Sequence, residues 1–139
     1  NYLDVSRTIN GVNKALPYNA KHRFLAVASL HSKKPLWQVD ANLHWYGKQR
    51  LPDSQGLPIE FQQSGYSNPY TTLSLQYTHT FHQIELFGGC ENIFDFRQLR
   101  PIVGYQNPFG KFFDTSFVWG PTRGRELYIG VRLKIQKEE

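Results

Sequence analysis

Leu36-Trp37-Gln38-Val39-Asp40-Ala41-Asn42-Leu43-His44-Trp45-Tyr46 alternates without a break. Successive side chains of an extended strand point to opposite sides. Trp37, Val39, Ala41, Leu43 and Trp45 therefore share one face, and Gln38, Asp40, Asn42, His44 and Tyr46 share the other. The same period of two returns three times. Over about 70–81 it sets Leu73, Leu75, Tyr77, His79 and Phe81 against Ser74, Gln76, Thr78 and Thr80. Over about 83–93 it sets Ile84, Leu86, Gly88 and Cys90 against Glu85, Phe87, Gly89 and Glu91. Over about 125–135 it sets Leu127, Ile129, Val131, Leu133 and Ile135 against Glu126, Tyr128, Gly130, Arg132 and Lys134. A fifth strand is expected over about 22–31, but Phe24-Leu25-Ala26-Val27-Ala28 is apolar on both sides and leaves its faces open. Helical periodicity is missing, and 11 Gly and 8 Pro punctuate the chain, so the reading is all-β.

The connections carry as much information as the strands. Ser32-Lys33-Lys34-Pro35 is a tight turn, and only His82 and its neighbours separate the third strand from the fourth. The segments 47–69 and 94–124 are long and rich in Gly, Pro and polar residues. In successive antiparallel strands, alternate connections fall at opposite ends of the sheet. One end is thus trimmed to turns and the other carries long loops, the pattern of outer-membrane β-barrels. Trp37 and Trp45 lie on one face, and their spacing at a tilt near 40° gives roughly 20 Å along a membrane normal. With Phe81 they suit the aromatic girdles that flank an apolar band. A soluble sandwich or small barrel gives the same alternation with its apolar face turned inward. A soluble β-sandwich that binds carbohydrate through exposed rings is the competing reading. Five strands alone cannot close a barrel, and an open edge cannot sit in lipid.

The composition narrows the classes. The chain has 139 residues, 40% of them hydrophobic and 15% aromatic, too many rings for a disordered segment. Its longest apolar run, Phe24 to Ala28, is far short of the roughly 20 residues of a membrane-spanning helix. The opening Asn1-Tyr2-Leu3-Asp4, with no apolar core behind it, gives no expectation of a signal peptide. The absence of Met, even at position 1, leads to the expectation of a piece of a longer chain. The net charge is +5, but the cations are scattered, and nucleic-acid binding needs them clustered. The single Cys90 excludes an internal disulfide.

Leu86-Phe87-Gly88-Gly89-Cys90-Glu91-Asn92-Ile93-Phe94-Asp95 resembles the end of TonB-dependent outer-membrane receptors, where a glycine-containing strand runs into an E-N-[IL]-F-[DN] corner. Pro101-Ile102-Val103-Gly104, Asn107-Pro108-Phe109-Gly110 and the run from Phe113 to Pro121 are similar to the last extracellular loop of such receptors, and 124–132 to the strand that follows it. Trp45-Tyr46-Gly47-Lys48-Gln49-Arg50-Leu51-Pro52 is similar to the family's Y-x-G-x-x-R-L-P. The likeness covers about residues 18–135 and is nearest to receptors of Bacteroidetes-like bacteria.

The resemblance implies the antiparallel C-terminal sector, about five strands, of a large transmembrane β-barrel in the outer membrane of a Gram-negative bacterium. It would have long extracellular loops and short periplasmic turns. Residues 1–21 would end a preceding loop or strand, 22–135 would form barrel strands and loops, and 136–139 a polar tail. Such receptors bind a scarce nutrient, an iron chelate, haem, cobalamin or oligosaccharide, and import it with energy from TonB. The implied partners are the TonB complex and plug domain, the barrel-assembly machinery, outer-membrane lipid and a small nutrient ligand, with no nucleic acid. Tyr128, Gly130, Leu133 and Ile135 match the spacing of the assembly signal, although the family usually stops on an aromatic residue and this chain continues through Gln136 to Glu139.

Enzymatic chemistry finds little support. Glu85 and Glu91 stand about 20 Å apart along one strand, too far for a glycosidase pair. His79 and His82 straddle a turn, His22, His31 and His44 show no ligand spacing with Cys90, and Gly120 to Arg125 lacks the G-K-[ST] ending of a phosphate loop. No catalytic residue, metal site or cofactor is expected. Ligand contact is expected instead from the outward loops, at Tyr66, Tyr70, Tyr105, Phe109, Trp119 and Arg123, because rings bury large areas at binding surfaces. Glu91-Asn92 is expected to anchor the strand end to the last loop.

Overall fold

The computed structural model describes residues 1–34 and 36–134. Seven strands form in chain order: β1 (Ser6–Ile9), β2 (Val12–Ala15), β3 (Arg23–Lys33), β4 (Leu36–Tyr46), β5 (Tyr70–Phe81), β6 (Ile84–Glu91) and β7 (Glu126–Leu133). A single 3-10 turn, Ile59–Phe61, lies between β4 and β5. Strands β3 to β7 make one antiparallel sheet in sequence order, while β1 and β2 make a sheet of their own. The expected five-strand antiparallel sheet is therefore present. Among the described residues it does not close into a barrel: β3 and β7 are its outer strands. The alternation marked the ends of β4 and β5 as they stand, and β6 and β7 are shorter than expected by one or two residues at each end. Ile135 and the tail 136–139 lie outside the described residues.

Residues 6–15, expected only as the end of a loop or strand, fold into a hairpin. Ile9 pairs with Val12 across Asn10 and Gly11, whose φ angles are 51° and 77°. Two consecutive positive φ values make the type I′ turn, for which Asn-Gly is the preferred pair. The β5–β6 turn is equally tight. Phe81 pairs with Ile84, and His82 takes the left-handed conformation at φ 52°.

The chain divides into two compact units. One gathers Asn1–Phe24, Trp45–Tyr70 and Arg97–Thr122; the other gathers Leu25–His44, Thr71–Phe96 and the segment from Arg123. In the second unit, register fixes the faces. Leu75, Cys90 and Leu127 lie side by side, as do Tyr77, Gly88 and Ile129, then His79, Leu86 and Val131, then Phe81, Ile84 and Leu133. This apolar face is open. Ile129 is 89% exposed and Leu127 79%, with Val131, Leu133, Phe81, Tyr77, Leu86 and Ile84 exposed as well. Among the described residues this unit buries only Glu85 and Asn92, both polar; the buried apolar side chains Ala20, Leu51, Val103 and Phe117 all belong to the other unit.

The opposite face is polar and tightly interlocked. Tyr128 pairs with Gly89 and Phe87 with Gly130. Each ring lies over the glycine across from it: a Cβ on Gly89 would collide with the Tyr128 hydroxyl, and one on Gly130 with the Phe87 ring. Such aromatic–glycine pairs pin strand register. Tyr128 then donates its hydroxyl to Gln76 Oε1 at 3.0 Å, tying β7 to β5 over β6. Arg132 lies over the Phe87 ring and pairs with Glu85 at 3.0 Å, and Lys134 pairs with the same carboxylate. The faces of β3 are settled by Ser29, whose hydroxyl donates to Asp40 Oδ1 at 2.7 Å. Ser29 and, by alternation, Leu25 and Val27 share the polar side, while Phe24, Ala26, Ala28 and Leu30 share the apolar one.

Gly130→Ala should cost about 1–3 kcal/mol by overpacking against Phe87. In a Phe87→Ala background the same change should cost under about 0.5 kcal/mol. Denaturant unfolding of the four variants gives the coupling.

Candidate functional site

The unit built from 1–24, 45–70 and 97–122 consists largely of loops, and buried polar side chains hold it together. Gln98 is the main clamp. Its Nε2 donates to Phe117 O at 2.7 Å, its Oε1 accepts from Trp119 N at 2.8 Å and Gly120 N at 3.1 Å, and its backbone N–H donates to Pro121 O at 2.8 Å. Ser67 Oγ accepts from Gln49 N at 3.0 Å, and Ser67 N donates to Gln49 O at 2.9 Å. Ser54 Oγ bonds both the N–H and the carbonyl of Gln63. Arg50 donates to Ala15 O at 2.7 Å, and its own carbonyl accepts from Tyr18 N. Loop backbone needs such partners once it leaves water. Burial raises the Tyr18 phenol above its usual range, with the Asp114 carboxylate adding to the effect. The hydrogen bond to Asp4 raises the Lys21 ammonium, and the charge of Asp4 adds to it.

Within this unit the segment 103–114 is a closed loop. Val103 and Asp114 exchange two backbone bonds of 2.9 and 3.0 Å, and turns link Gly104 to Asn107, Asn107 to Gly110 and Gly110 to Phe113. Gly104 sits at φ 63°, and a Cβ there would meet Phe112 O at 2.7 Å. Only glycine meets both demands without strain. This loop and the segment around Phe61 border a cleft of about 590 Å³. Phe61 and Phe112 stack at 5.1 Å on its wall, and Lys111 lies over the Phe112 ring at 5.7 Å. Arg100, Glu60, Gln63 and Tyr105 complete its chemistry.

The sequence-expected contact residues separate into different settings. Tyr105 lines the large cleft, and Tyr66 lines a smaller hollow of about 210 Å³ beside Arg50 and Asp53. Phe109 is fully exposed and borders neither. Tyr70 and Trp119 belong to a row of rings: Arg23 lies over Tyr46 at 5.7 Å, Tyr46 stacks on Tyr70 at 4.9 Å, and Tyr70 tilts against Trp119 at 5.8 Å. In the sheet unit, Arg123 pairs with Glu126 at 3.4 Å, both exposed. Of the girdle residues, Phe81 and Trp45 are exposed on the apolar face and Trp37 is half-buried there. Of the assembly-signal residues, Tyr128 and Gly130 lie in the polar ladder and Leu133 on the open apolar face.

No protein-family model, curated protein or solved structure matches this chain.

Its own geometry must therefore carry the reading. Asn92, at φ 48°, donates to Phe96 O at 2.8 Å and Arg123 O at 3.2 Å, and its Oδ1 accepts from Phe96 N. Of the Glu91-Asn92 pair expected to anchor the strand end, Asn92 makes these bonds, and Asp95 extends them by accepting from Arg125 N at 2.8 Å. Among the described residues no group of three or more His, Cys, Asp or Glu side chains could hold a metal ion. Sequence reading missed Gln98, Lys111 and Phe61. For Gln98 no spacing signals a clamp, whereas Lys111-Phe112-Phe113, a cation beside paired rings inside a Gly-Pro-rich loop, was a visible cue.

Gln98→Leu leaves a buried carbonyl and two N–H groups without partners, each worth about 1 kcal/mol or more. Amide exchange at Trp119 and Gly120 should speed by at least tenfold, while exchange in β6 and β7 stays unchanged.

Proposed function

We propose that the chain forms the C-terminal barrel sector of a TonB-dependent outer-membrane receptor. Its sheet would face lipid on one side and the barrel lumen on the other. The observation that carries this reading is the register-continuous apolar face of β5, β6 and β7, open across its width, opposite a face of interlocked polar side chains. A soluble sandwich needs that apolar face sealed, because each Leu, Ile or Val left in water forgoes about 1.5–3 kcal/mol. Leu127 and Ile129 are instead among the most exposed large hydrophobic side chains of the described residues. In hydrocarbon the same exposure carries no such penalty. On this reading the outer strands β3 and β7 need further strands beside them, since an open edge cannot sit in lipid.

On this reading the short connections at Lys34 and His82 face the periplasm, and the loops after β4 and β6 face outward. The ordered loop unit is the part positioned to meet a nutrient. Outer-membrane lipid would cover the apolar face, the plug domain would meet the polar one, and the barrel-assembly machinery would insert the strands. Import would draw on the TonB complex. The protein's work is binding and passage, with no bond made or broken in the ligand.

Ile129→Arg places a charge mid-strand on the apolar face and should cost about 2–4 kcal/mol if that face meets hydrocarbon. Ser74→Arg, on the polar face, should be tolerated. Partition into outer membranes, followed by carbonate extraction, separates the cases. Loss of membrane retention for Ile129→Arg alone agrees with the proposal; equal retention of both variants, or a native chain that stays monomeric in water, contradicts it.

A further inference from the structure

We propose that the cleft bounded by Phe61 and the closed loop 103–114 recognises a carboxylate-bearing ring, an acidic sugar being the ligand that uses every kind of group lining it. The inference rests on the receptor reading for its biological setting and on the cleft alone for its chemistry. A volume of about 590 Å³ lies within the roughly 300–1,000 Å³ of small-ligand sites.

Charge selects the ligand's sign. Arg100 and Lys111 line the cleft, and neither forms an ion pair among the described residues; Glu60 is the one carboxylate there. Two cations against one anion favour a negative guest, and the planar fork of a guanidinium matches a carboxylate with two parallel hydrogen bonds. The remaining lining fits a sugar body. Phe61 and Phe112, stacked on each other, add apolar surface to the lining against which the C–H groups of a sugar ring can pack. The side-chain amides of Gln63, Gln106 and Asn107 offer both donors and acceptors, as vicinal hydroxyls require. A purely apolar ligand would leave those amides and the Arg100 guanidinium unanswered.

The wall is also preorganised. The Val103–Asp114 bonds, the three linked turns and the close approach of Gly104 to Phe112 fix the loop before a ligand arrives. A fixed wall lowers the ordering cost of binding.

The test is calorimetric titration of the full chain in detergent micelles with trigalacturonate and, as the neutral counterpart, galactotriose. The acid should bind at least tenfold more tightly. Arg100→Gln and Lys111→Gln should each weaken it about tenfold, Glu60→Gln should strengthen it several-fold, and high salt should weaken it as screening grows. Arg100, Lys111 and Glu60 are all exposed, so near-ultraviolet circular dichroism should remain native in each variant. Equal binding of acid and neutral sugar, no binding of either, or indifference to all three substitutions overturns the inference. The same samples are assayed for bilayer partition. Intact partition without acid preference removes this inference and leaves the receptor reading standing, whereas acid-selective binding by a chain that never enters a bilayer removes the receptor reading alone.

Discussion

Hydrocarbon exposed to water costs about 25 cal/mol for each Å², and no sheet keeps a broad apolar face open without a reason. In β5, β6 and β7 that face runs in unbroken register from Leu75, Cys90 and Leu127 to Phe81, Ile84 and Leu133. Everything else in the sheet unit follows from leaving it open. Among the described residues there is no interior of Leu and Val to fix the strands, so another device must do so. The other side of the sheet supplies it, through Tyr128 over Gly89, Phe87 over Gly130, and Glu85 held by Arg132 and Lys134.

The division of labour between the units is physical. The sheet depends on backbone pairing and one polar ladder, and its apolar side chains stay exposed. The loop unit has the ordinary logic of a water-facing protein on a small scale. Four buried apolar residues sit among buried Gln49, Ser54, Ser67 and Gln98, which satisfy loop backbone that no strand pairs. Loops held this way can keep a cleft open, because the hydrogen bonds of Gln98 and the Val103–Asp114 bridge do not depend on anything bound.

Much of the sheet was legible in the sequence because alternation reports faces directly. β4 and β5 carry clean period-two patterns, and their ends could be read to the residue. β3 was expected as a strand, but its faces could not be read, since Phe24 to Ala28 is apolar on both sides; the bonds of Ser29 with Asp40 and Gln38 assign them. The β1–β2 hairpin was legible and overlooked, as Asn10-Gly11 is the strongest short hairpin signal. The loop unit was mostly opaque. Its ring residues stood out, but whether a ring packs or binds depends on distant partners. Tyr70 and Trp119 are in a stacked row, whereas Tyr105 borders a cleft. Nothing local to Gln98 announces bonds to residues some twenty positions on.

On the receptor reading Leu127, Ile129, Val131 and Leu133 contact lipid tails. Spin labels placed one at a time from 126 to 133, in chain reconstituted into bilayers, report it through collisions with oxygen and with a water-soluble nickel chelate. The account requires a period of two, with oxygen favoured at 127, 129, 131 and 133 and the chelate favoured at 128, 130 and 132. Labels at the odd positions shielded from both reagents would mean that protein covers this face, and the account would be wrong.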